Sequence, residues 1–140
     1  MDRLPNGSLL VRTWFGDDAA WERLKAAVAT PSEEGFLADV RPIDDRLLEG
    51  LDPEQLAART PHGNYGAIVS FLADETTLST ADQPILVVRV LPSLTDEEEF
   101  PSFRVIPSEL WSVENNLNLA NMDWIDFYRA AGPDGVYRGF

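Results

Sequence analysis

Carboxylates stand in pairs after three stretches that read as strands: Asp17 and Asp18, Asp44 and Asp45, then Asp74 and Glu75. In an open parallel sheet the carboxyl ends of the strands line the crevice where ligands bind. Convergent carboxylates at such an edge hold hard divalent cations, Mg²⁺ or Ca²⁺, through oxygen. Asp17, Asp18, Asp44, Asp45 and Asp74 are therefore the candidate metal ligands, and Asp17 or Asp44 would be the acid or base of an enzyme. The same residues have a structural reading. Asp17 can cap a helix, Asp18 would sit in its first turn, and Asp is a favoured turn residue.

A second set lies in residues 107–128, PSELWSVENNLNLANMDWIDFY, where Asn115, Asn116, Asn118 and Asn121 interleave with aromatics. Asparagine is a poor helix-interior residue because its amide competes for backbone groups. Four in seven positions either hydrogen-bond a polar ligand or break the segment. The break gives a helix over 108–117 capped by Ser108, then an elbow over 118–121. A second helix follows over 122–131, with Asn121 as N-cap and Asp123 in its first turn. Gly132–Pro133 stops it. Leu110, Val113, Leu117, Ala120, Trp124 and Phe127 follow each other at spacings of three and four, a single stripe expected to pack on the sheet.

A third set is the acidic run Asp96, Glu97, Glu98 and Glu99. It lacks the alternating ligands and glycine of an EF-hand, so it reads as a solvated loop or a contact for a basic partner.

Several chemistries lack their parts. No GxxxxGK[ST], GxGxxG or GxSxG pattern is present, so the usual phosphate cradles and the nucleophile elbow are missing. His62 is the single histidine and cysteine is absent. A zinc site would need carboxylates for nearly all its ligands. The strand-end acids invite comparison with a phosphoacceptor receiver domain, but that chemistry needs a lysine after the last strand, and Lys25 lies in the first predicted helix. No cofactor is implied.

The charge is the strongest compositional signal. Twenty-four acids against eleven bases give −13, which repels nucleic acid and anionic lipid and attracts cations or basic protein surfaces. The chain has 44% apolar residues and no apolar run long enough to span a bilayer. Its first residues, MDRLPNGSLLVRTWF, do not read as a secretory signal. A cytoplasmic protein, monomeric or homodimeric, is expected.

Strand and helix signals alternate along the chain. Strands are predicted over 8–15, 36–43, 67–74, 84–91 and 102–107, with 36–43 at an edge because of Pro42 and the last two paired as a hairpin. Helices are predicted after Asp17, after the Asp52–Gln55 capping box and over 76–83. The loop HGNYG occupies 62–66, and Val136, Tyr137 and Phe140 make the tail apolar enough to dock. The fold class is α/β: a single compact domain over 1–140, with a mixed sheet of about five strands and helices packed on it.

The stretch VIPSELWSVENNLNLANMDWIDF, with LLVRTWFGDDAAWE and DGVYRGF, resembles a domain family of uncharacterised small acidic bacterial proteins. Its signature is VIPSELWSVENNLxxANMDW. The resemblance spans most of the chain, implies a single domain and carries over no catalytic residue. The leading expectation is thus a non-catalytic acidic interaction module, immunity-protein-like or regulatory, that binds a basic protein. The other is a small-molecule or divalent-cation binding domain, or an enzyme, with its site at the strand ends near the Asn-rich elbow.

Overall fold

The strand β1 (Leu9–Arg12) is buried along its whole length and is flanked on both sides by parallel neighbours, β2 (Arg41–Ile43) and β3 (Val69–Ala73). It belongs to a computed structural model that describes residues 3–61, 67–92, 95, 97 and 99–140. Antiparallel β4 (Ile85–Arg89) follows β3, then β5 (Arg104–Val105), and β6 (Val136–Tyr137) lies parallel to β5. The six-stranded mixed sheet has the order β2-β1-β3-β4-β5-β6. The sixth strand is the docked tail.

Alternation sorts side chains to two faces. Leu10, Phe71, Ile85 and Val87 point into the larger core, beneath α1 (Asp18–Val28), α3 (Glu75–Ser79), α4 (Leu110–Asn118) and α5 (Trp124–Ala130). Leu9, Val11, Leu72 and Val88 point the other way, to Leu48 of the short 3₁₀ turn Arg46–Leu48 and Leu56 of α2 (Pro53–Arg59). Carboxylate caps start α1, α2 and α3. The side chain of Asp17 accepts from Ala20 N–H at 3.0 Å, and Asp52 and Gln55 form the predicted reciprocal pair at 2.8 and 3.0 Å.

The C-terminal stripe is buried at Leu110, Val113, Leu117, Trp124 and Phe127, as expected, but Ala120 is exposed. The helix does not run that far. Leu119 ends α4, and Ala120 adopts φ +56° so that its N–H reaches Leu117 O while Asn121 N–H reaches Asn116 O. This is a Schellman closure with alanine where glycine is usual. Two caps also differ from expectation. Ser108 lies inside a 3₁₀ turn, Pro107–Glu109, and makes no cap, while Asp123, not Asn121, occupies the N-cap of α5. The predicted strand 36–43 shrinks to Arg41–Ile43 because the residues before it wrap against α4. His62 and its HGNYG loop lie outside the described residues.

The left-handed alanine costs stability that glycine would not. Ala120→Gly is expected to raise the unfolding free energy by about 0.5–1 kcal/mol. The urea midpoint should rise with an unchanged slope.

Candidate functional site

The carboxyl ends of β1, β2 and β3 share one edge of the sheet, so the five aspartates reach the edge expected for them. Each is engaged there. Arg12, the last residue of β1, is only 3% exposed and stands among them. Its Nη2 lies 2.6 Å from Asp18, its Nη1 3.6 Å from Asp44, and its Nε donates to Trp14 O at 3.0 Å. The Arg12 hydrogen bond and charge hold the Asp18 carboxyl below its ordinary range. The Phe15 ring lies 4.4 Å from the Arg12 guanidinium and 5.1 Å from that of Arg46, cation–π contacts that add to the anchoring. Asp17 caps α1, and Asp45 caps the 3₁₀ turn through Leu47 N–H at 3.0 Å.

Asp74 caps α3 through Thr77 N–H at 3.0 Å and meets Arg104 in a two-pronged pair at 2.9 and 2.8 Å. Burial works to raise its pKa, but the Arg104 and Thr77 hydrogen bonds outweigh it and leave the carboxyl lowered. The centre of the crevice is therefore filled by arginine. Among the described residues, no three acidic or histidine side chains converge to hold a metal ion. Sequence reasoning missed Arg12. Its only signal was a cation closing a buried apolar run, a position that demands anionic partners.

Between the β1–α1 loop and α3, which pack over the same face of the sheet, lies a concavity of about 670 Å³, lined by Trp14, Gly16, Asp17, Arg23, Ser79 and Gln83 among others. Gly16 lies directly against the Trp14 ring. A β-carbon would fall 2.2 Å from the Trp14 ring.

The four asparagines do not share a cavity. Asn115 donates to Trp111 O at 2.7 Å and Asn116 to Ser112 O at 2.9 Å, both within α4. Asn121 is exposed past the helix end. Asn118 faces the sheet, and its amide is fully engaged. Its oxygen accepts from Ile68 and Val69 N–H at 2.9 and 3.2 Å. Its nitrogen donates to Ser8 Oγ at 2.7 Å and to Glu114 Oε2 at 2.9 Å. Buried Glu114 accepts through its other oxygen from Asp39 N–H at 2.6 Å, and Ser8 Oγ donates to Val69 O. Of the acidic run, Glu97 and Glu99 are exposed, while Asp96 and Glu98 lie outside the described residues.

A family model with the description Domain of unknown function (DUF6924) matches residues 7–140. No curated protein and no solved structure matches the chain.

Removing the Asn118 amide strands several buried polar groups at once. Asn118→Ala is expected to cost about 2–4 kcal/mol, more than an average core truncation of that size, as read from denaturant unfolding. The Asp74–Arg104 pair gives a pH signature. Because the folded pKa lies below the ordinary aspartate value of 3.8, its stabilisation is complete above that value and disappears as pH falls through the folded pKa. Asp74→Asn should therefore be less stable than the native chain at neutral pH, and the gap should close in acid.

Proposed function

The chain belongs to that family of domains of unknown function, and we propose that it is a non-catalytic interaction module that binds a basic protein through its acidic surface. The observation that carries this reading is the set of exposed acids left over once the ion pairs are formed. Arg12 pairs with Asp18 and Asp44, Lys25 with Glu22, Arg104 with Asp74, and Arg138 with Asp82 and Asp134. Exposed Glu33, Asp39, Glu49, Glu75 and Asp126 have no basic side chain within salt-bridge reach among the described residues. The formal charge of −13 is thus presented to solvent as exposed carboxylates that these pairs leave without a basic partner, alongside exposed Arg3, Arg23, Arg41, Arg46 and Arg129.

A field of that sign steers a basic surface toward contact and makes the association rate salt-dependent. It disfavours nucleic acid and anionic membranes as direct partners. Among the described residues no helix is long and apolar enough to cross a membrane. The concavity beside Trp14 supports a second reading, a domain that holds a small polar ligand between the β1–α1 loop and α3. Gly16→Ala, which forces the Trp14 ring to move, would abolish ligand binding there and leave an acidic-surface partner bound.

Affinity capture from cell extract at low and at high ionic strength separates the two readings. The module reading expects basic proteins retained at low salt and released at high salt. Retention of only acidic or neutral proteins, indifferent to salt, contradicts it.

A further inference from the structure

The connection between α1 and β2 carries an aromatic side chain that packing alone does not explain. Phe36 is 52% exposed, yet its ring stacks on Trp111 of α4, with centroids 4.8 Å apart and planes 13° from parallel. Leu37 beside it is 48% exposed.

The segment is held firmly. Ser32 Oγ accepts from Phe36 N–H at 3.0 Å, Gly35 turns at φ +88°, and Ser32 N–H donates to Phe36 O at 2.8 Å. Three residues on, Asp39 N–H is fastened to Glu114. A large apolar ring presented on a rigid turn is a preorganised contact.

Each ring of the stack has an acid shortly before it in the chain. Glu34 precedes Phe36 by two residues and Glu109 precedes Trp111 by two. Burial, then the Glu34 charge, pushes the Glu109 carboxyl up from its ordinary value, while the Glu34 carboxylate accepts from Ser32 Oγ at 3.3 Å. Neither has a basic side chain within salt-bridge reach among the described residues. The chain's own tail also runs here, with the β-carbon position of Gly139 3.3 Å from Glu109 Oε1. An exposed aromatic face in the same turn as exposed Glu34, whose charge also acts on Glu109, matches a planar cation that stacks on the ring and meets anionic neighbours. Arginine fits that description better than lysine.

We propose that the Phe36–Trp111 stack, with Glu34 and Glu109 shortly before its rings in the chain, is the docking point for an arginine side chain of a basic protein partner. The inference rests on the acidic-module reading and locates its centre. A second copy is the poorer occupant. A symmetric dimer over this patch would place Glu34 and Glu109 against like charges.

The test is an NMR amide titration of the full chain with a synthetic peptide alternating glycine and arginine, with a glycine–glutamine peptide as neutral control. Salt-sensitive shifts concentrated at 34–37, at 109–112 and at the Trp111 indole are expected with the arginine peptide only. Phe36→Ala and Glu34→Gln, both at exposed positions, should each weaken binding about two- to fivefold, and exposed Asp126→Asn should leave it unchanged. Salt-sensitive binding that ignores Phe36→Ala and Glu34→Gln would overturn this docking point and leave the acidic module standing. Absence of any binding by the arginine peptide overturns the docking point as well. If capture from extract also yields no basic protein, the module reading falls with it. A native dimer that Phe36→Ala dissociates would mean a second copy covers the stack, which equally overturns the proposal.

Discussion

One carboxamide joins the two halves of this fold. Asn118 uses both lone pairs and both hydrogens on partners up to 110 residues away in sequence. The N–H groups of Ile68 and Val69 at the entry to β3 meet a side-chain acceptor. Glu114, buried on the preceding turn of α4, is held by the same amide and in turn holds Asp39. A buried polar network rigidifies when every member is satisfied and is costly when one is removed. Here it fixes the register of α4 on β1 and β3 and ties down the segment carrying Phe36.

The arginines impose the complementary constraint. A buried guanidinium needs anionic neighbours, and Arg12 takes two of the aspartates that a sequence reader would assign to a cation site. Arg104 takes a third. The strand-end acids are thus tied to holding the sheet edge together, and the surplus charge is left on the helices and connections.

Local rules made much of this legible. Asp17 and Asp52 are caps because short polar acceptors before apolar-periodic runs satisfy orphan N–H groups. The break in the Asn-rich segment follows from the poor fit of asparagine inside a helix. Its details did not follow, because the choice between Asn121 and Asp123 as cap depends on where the Schellman closure at Ala120 leaves the chain. Asn118 was legible only as an awkward residue. Its purpose lies in two N–H groups about fifty positions earlier, and no periodicity reports that distance. The tail was seen as apolar enough to dock, but its pairing as a parallel sixth strand depends on the free edge of β5. Phe36, read as strand, became an exposed ring because the residues around it are drawn to α4.

Native-state hydrogen exchange tests most directly whether the Asn118–Glu114 network locks the scaffold. The amides of Asp39, Ile68 and Val69 lie at or before strand ends, where fraying is usual. If the network holds as described, all three exchange in the slowest class, through global unfolding alone, and at equal free energies. Exchange of Asp39 and Ile68 at the rate of an open loop would contradict it.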